Sequence, residues 1–245
     1  MSHPLDGAHL RVEWAAKRLE ELRALVSKYA ENEVETNDID AEFDIGSLIL
    51  TPSQMGEPPA ALSIHLGEVV YHLRSALDYL IFELARADSG KPMQRTQFPI
   101  ESTPSGFAGR RNTYLLGVSE KHVNAIKLLQ PCEGCDWTGD LANISNPDKH
   151  RLLIPTFGAQ QGSFAVTIIP PGDVSRVVGK AKPLRGDPAG RYVDVECEVT
   201  AFSVTFGQGE PPIVETLELL MSRVSQALDA FNSCFEGSCV HVPPT

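Results

Sequence analysis

The chain has 245 residues, of which 42% are hydrophobic and 22% charged, enough for one large domain or two small ones with a sizeable core. Its formal net charge of -11 argues against broad, sequence-independent binding to DNA or to an anionic membrane, because that binding needs clustered Lys and Arg to displace counterions. The opening MSHPLDGAHLRVEW lacks a charged segment followed by an apolar run, and no stretch approaches the roughly 20 apolar residues of a membrane span, so a cytoplasmic protein with no membrane partner is expected.

From about Leu5 to Ala30, Leu10, Trp14, Leu19, Leu22, Leu25, Val26 and Tyr29 recur at helical spacing between charges, which predicts an amphipathic helix. An acidic stretch follows, and Glu42 to Leu50 suggests a strand closed by Thr51-Pro52. The run from Ala61 to Ala87 is the longest helical pattern in the chain. Leu66, Val69, Val70, Leu73, Ala76, Leu77, Leu80, Ile81 and Leu84 fall on one broad apolar arc, as a core helix requires. Gln97 to Ile100 is expected to be extended around Pro99, and Glu101 to Arg111 to be a loop. Ser119 is placed to cap a short helix that ends before Pro131.

The C-terminal third changes character. Ser163 to Ile169 is β-branched, and Val193, Val195, Cys197 and Val199 alternate with polar residues, so both are expected to be strands. At Ala201 the alternation slips by one residue, which predicts a bulge or bend. Lys180 to Gly190 is expected to be an exposed loop, and Ile213 to Phe235 a last amphipathic helix that packs back on the first ones. The expected class is α+β, a helical bundle around a long central helix with a small antiparallel sheet. It is expected as a single domain over residues 1–245, with a helical part over about 1–157 and 213–235 and a β part over about 160–207.

Two polar strips border the apolar arc of the central helix. His65, Glu68, His72, Tyr79 and Glu83 share one edge, where their side chains can meet along a groove, and Arg74 and Asp78 sit one turn apart on the other. In Asn146-Pro147-Asp148-Lys149-His150-Arg151, Asn146 suits an N-cap and Pro147 the first helical position. Lys149, His150 and Arg151 would then crowd a helix start that already favours an anion, and a carboxylate such as Asp78 or Glu68, or a bound anionic ligand, would compensate them.

Other clusters are weaker. His65, Glu68 and His72 have spacings that could offer three metal ligands from one helix face, without the second helix a bundle metal site needs. Cys132 and Cys135 with Cys234 and Cys239 could bind zinc if the chain brings them together; otherwise they are free thiols, and five cysteines in all suit a reducing compartment. No phosphate-binding Gly loop, nucleophile elbow or HExxH motif occurs, so no cofactor is implied.

The segments His72-Leu73-Arg74-Ser75-Ala76-Leu77-Asp78-Tyr79-Leu80, Phe98-Pro99-Ile100, Leu129-Gln130-Pro131 and Asn146 to Arg151 together resemble an uncharacterised bacterial family, mostly actinobacterial, with LRSALDHL-like and NxxDKHR-like motifs. That resemblance implies an intracellular protein with two coupled polar motifs. More distantly, the central helix is similar to HEPN nucleases and nucleotide-binding domains, whose motif sets Arg and His about five residues apart. Arg74 matches the arginine, whereas Tyr79 holds the histidine position; tyrosine at its usual pKa is a poor base near neutral pH, so His72 or His150 would have to serve as catalytic base.

Three functions are compatible with these residues. Arg74, Lys149, His150 and Arg151 would hold an anionic small molecule such as a nucleotide, with Asp78 and Asp148 orienting the basic groups, in a binding or regulatory protein, with a homodimer compatible. Alternatively the protein is an HEPN-like metal-independent ribonuclease with RNA as its partner. The third reading makes Arg74, Asp78, Asp148, His150 and Arg151 a buried ion-pair network that fixes helix packing.

Overall fold

The apolar arc between Ala61 and Ala87 becomes helix α2, Ala60–Ser89, and its core residues from Leu62 to Leu84 are almost wholly removed from water. The computed structural model describes the backbone of residues 3–36, 39–44, 47–52, 59–148, 156–173, 181–205 and 212–235, and the side chains of residues 3–29, 59–145, 167–173, 181–194 and 212–235. Within these the chain forms helix α1 (Asp6–Thr36), strands β1 (Ile39–Asp44) and β2 (Ser47–Pro52), α2, helices α3 (Pro104–Tyr114), α4 (Glu120–Leu128) and α5 (Asp136–Asp148), strands β3 (Thr156–Ile169), β4 (Lys182–Pro183) and β5 (Tyr192–Thr205), and helix α6 (Ile213–Phe235). The expected α+β class, with a long central helix, a small antiparallel sheet and a returning C-terminal helix, is what the chain adopts.

The chain divides into two compact units. The first comprises residues 1–24, 60–154 and 211–245, and the second residues 25–59 and 155–210. In the first, α2 packs on α6 and α5. Ile213, Leu217, Leu220, Val224, Leu228 and Phe231 of α6 are all buried, the stripe expected of one amphipathic face. Arg23 of α1 pairs with Glu218 of α6 at the rim.

Helix α1 departs from expectation on one face. Leu5, Ala8, Ala15, Leu19, Leu22, Val26 and Tyr29 are buried, a heptad seam, while Leu10 and Trp14 are 51% and 40% exposed. Two residues expected to face the core therefore stand on the outside of the helix.

Three further differences have local causes. Residues from Pro104 onward are helical because the Thr103 hydroxyl accepts from the Gly106 N–H at 3.1 Å and Pro104 suits the first turn. Phe107 is the one residue of α3 that is buried, so no apolar period announced the helix. Residues Asn146 to Asp148 end a helix and do not start one. Trp137, Leu141 and Ile144, at spacings of four and three, carry α5 from Asp136 onward, and Pro147 falls in its last turn. Lys149, His150 and Arg151 lie outside the described residues, as do the side chains of residues 146–148 and Cys239.

In the second unit, β1 and β2 pair antiparallel from Ile39–Pro52 to Asp44–Ser47, so the expected single strand is a hairpin. The other sheet has the order β3-β5-β4, all antiparallel. Its register slips where Gln161 faces Ala201 and Gly162 faces Val199, the irregularity that the alternation predicts at Ala201. The loop before β5 is less exposed than expected, since Leu184 is buried beside β4. Its turn is held by Asp187, whose carboxylate accepts from the Arg191 backbone N–H at 2.8 Å and from Arg191 Nε and Nη2 at 3.0 Å. Those bonds hold the Asp187 carboxyl down at about 2.

Candidate functional site

The two polar edges of α2 serve different ends. On one edge, Arg74 and Asp78 grip the backbone of Phe98: Arg74 Nη2 donates to the Phe98 carbonyl at 3.1 Å, and the Phe98 N–H donates to Asp78 Oδ1 at 2.8 Å. The two side chains, 3.9 Å apart, thus do for an extended residue what a neighbouring strand would do. Gln130, fully buried, accepts from the Glu101 N–H at 3.1 Å, and the Glu101 carbonyl accepts from the Cys132 N–H at 3.3 Å. Three of the four motifs behind the family resemblance therefore converge on the single segment from Gln97 to Glu101. Burial lowers the Arg74 pKa, with Asp78 and Tyr114 opposing the shift, and its Nη1 is buried with no hydrogen-bond acceptor among the described residues. Arg74 and Asp78 are thus engaged in holding the Phe98 backbone.

The other edge opens on a groove of about 400 Å³ lined by Gly7, Leu10, Arg11, Trp14 and Arg18 of α1 and by His72 and Tyr79 of α2. A volume of that size is in the range that holds small molecules. Gly7, Arg11, Trp14 and Arg18 share one face of α1 because their spacings are four, three and four. The two helices run antiparallel along this seam. Gly7 lies against Tyr79, Trp14 against His72, Arg18 within 3.3 Å of Glu68, and Glu21 within 3.4 Å of His65. A Cβ on residue 7 would stand 3.1 Å from the Tyr79 ring, so glycine is what lets that ring reach the α1 backbone.

Charge is unevenly spread along the seam. At one end the Arg11 guanidinium lies over the rings of Tyr79 and Tyr71, at 5.3 and 5.9 Å from their centroids. Its nearest polar neighbours are His72 Nδ1 at 3.4 Å and the Tyr79 hydroxyl at 3.5 Å, and among the described residues no carboxylate pairs with it. At the other end Arg18 is bound by Glu21 at 2.6 Å and by Glu68 at 3.3 Å, and the Glu21 hydrogen bond is the main reason its pKa is raised. Burial first, and then Arg11, lower the pKa of His72, so its imidazole is neutral at pH 7 and can accept from Arg11.

The groove expected along His65, Glu68, His72, Tyr79 and Glu83 is thus present in part. Glu83 is paired with Arg86 at 2.5 Å and does not line it. The metal candidates His65, Glu68 and His72 do not converge: His65 Nδ1 lies 3.6 Å from Glu68, while His72 faces Arg11 and Trp14. Among the described residues no group of three or more His, Cys, Asp or Glu is placed to hold a metal ion. Reading the sequence missed Arg11, Trp14 and Arg18. The signal was the Gly7, Arg11, Trp14, Arg18 stripe, masked by counting Leu10 and Trp14 as core.

A Ser119, His122 and Asp88 cluster resembles a hydrolase triad by composition but not by geometry. Ser119 Oγ at 3.2 Å and Asp88 Oδ2 at 2.7 Å both approach the same ring nitrogen of His122, Nδ1, whereas a triad needs the hydroxyl and the carboxylate on opposite ring nitrogens. Asp88 also accepts from the Ser119 N–H at 2.8 Å, so it anchors the start of α4 to the end of α2. Cys135 is buried, which pushes its thiol pKa up and makes it unreactive.

Fold and site together define an α+β protein whose helical unit carries a groove lined by two arginines and three aromatic rings. No family model, no curated protein and no solved structure matches the chain. Among the described residues no helix is long and apolar enough to cross a membrane.

Proposed function

We propose that the protein binds an anionic small molecule, with the nucleotide class foremost, in the groove between α1 and α2. The observation that carries this reading is Arg11: a half-buried guanidinium with no carboxylate partner among the described residues, held between two tyrosine rings in a chain of net charge -11. Arginine presents five donors in a planar fork suited to phosphate or carboxylate, and here that fork faces an imidazole nitrogen at 3.4 Å and a phenolic oxygen at 3.5 Å. The anion site inferred from Arg74 and Asp78 moves to the opposite edge of α2, because those two groups already bond Phe98. Thermal melting against a panel of nucleotides and phosphorylated metabolites tests this. A ligand at about 100 times its Kd stabilises a protein by about 2.7 kcal/mol, so a true ligand raises the melting temperature of wild type and not of Arg11→Ala. If no compound shifts the wild type, the proposal loses its support.

A second reading is favoured by one pair. A neutral His72 beside a cationic Arg11 has the composition of a general base next to a phosphate-binding group, the equipment of metal-independent RNA cleavage. On this reading Arg11 takes the role that the sequence offers to Arg74. Incubation with RNA in EDTA decides it: cleavage that persists in both His72→Ala and Arg11→Ala excludes the ribonuclease.

A further inference from the structure

We infer that the groove selects a ligand built from a planar aromatic body and one anionic group, and discriminates against polyphosphates. The inference rests on the reading of the Arg11 end as an anion site and narrows it to a ligand class. Its first support is the lining. Trp14, His72 and Tyr79 are aromatic and Leu10 is apolar, so four of the seven lining residues offer flat or greasy surface, with Trp14 and Tyr79 41% exposed or slightly less. Rings of this kind bind other rings by offset or edge-to-face packing and gain little from a bare inorganic anion.

The second support is how charge runs along the seam. An anionic group seated on Arg11 leaves the rest of the ligand to extend along α1 toward Arg18, seven residues on and roughly 10 Å away at about 1.5 Å per residue. There the guanidinium is already paired with two carboxylates, Glu21 and Glu68, so it is not free to match a second anionic group. Lys17 does not line the groove; its ammonium covers the Trp14 ring at 4.6 Å from the centroid. One anionic group is therefore matched, and further phosphates extending from it would meet a guanidinium already neutralised by Glu21 and Glu68. A nucleoside monophosphate and an aryl carboxylate share the required chemistry.

Titration calorimetry on the full chain with AMP, benzoate, adenosine, inorganic phosphate and ATP tests the selectivity. The expected result is that AMP or benzoate binds at least tenfold tighter than ATP, adenosine or phosphate, and which of the two binds separates the nucleotide source from the aryl acid. Binding is lost in Arg11→Ala and weakened in Trp14→Ala, and Glu68→Gln narrows the gap between AMP and ATP. Melting temperatures of the three variants, each altered at a partly exposed side chain, show that they remain folded. If ATP or phosphate binds wild type as tightly as AMP and benzoate, with the Arg11 dependence intact, the anion site stands and this inference fails. If none of the five binds, both fall.

Discussion

Arg74 and Asp78 hold the carbonyl and the N–H of one buried residue, Phe98, so removing either leaves a polar group without its partner away from water. Arg74→Ala is expected to cost about 3–5 kcal/mol, read from urea unfolding, and a variant as stable as wild type would show that the grip on Phe98 is incidental. His72 supplies a pH dependence. Its pKa lies below the usual 6.5 because it is partly buried and faces Arg11, so the folded chain resists protonation more than the unfolded chain does. Its contribution to stability is full above about pH 6.5 and is lost as the pH falls through the lowered folded value. Melting temperatures of wild type and His72→Gln at about pH 5 and about pH 7 should show a smaller acid loss in the variant. Asp187, held at about 2 by Arg191, works in the usual carboxylate direction, and its contribution persists above about 3.9 and vanishes only as the pH falls through about 2.

At the scale of the element, α1 presents two apolar-looking faces with different fates. The heptad seam through Leu19 and Leu22 is buried, while Leu10 and Trp14 line the groove. Leu19→Ala should therefore cost about 2–5 kcal/mol, as emptying a packed site does, whereas Leu10→Ala, at an exposed site, should stay within about 0.5 kcal/mol. Equal losses in thermal or urea unfolding would mean that the two faces had been assigned wrongly. The contrast also explains why periodicity misplaced Trp14. A seam repeating every seven residues and a stripe at spacings of four, three and four both have helical periodicity, and only a partner helix distinguishes the inside from the outside. In α5 the local chemistry of Asn146-Pro147 suited a helix start, but the packing of Trp137, Leu141 and Ile144 had already started the helix ten residues earlier at Asp136.

Over the whole molecule, a net charge of -11 sets the long-range field, and the cations of the groove act only locally within it. The chain should show no binding to duplex DNA above background at about 0.15 M salt, checked by mobility shift, because a net charge of -11 opposes a polyanion. The sequence by itself determined the long core helix, the C-terminal amphipathic helix, the β-rich segment with its slip at Ala201 and the class they add up to. Each of these follows from the spacing of apolar side chains, a property of the chain read locally. Only the tertiary structure decided which polar side chains meet. It assigned Arg74 and Asp78 to Phe98 and brought Arg11, 61 residues from His72, to that imidazole, since hydrogen bonds and ion pairs between distant segments depend on which helix faces cover each other. Burial settles that choice through the summed apolar area of many residues, and the polar groups at the edges follow it.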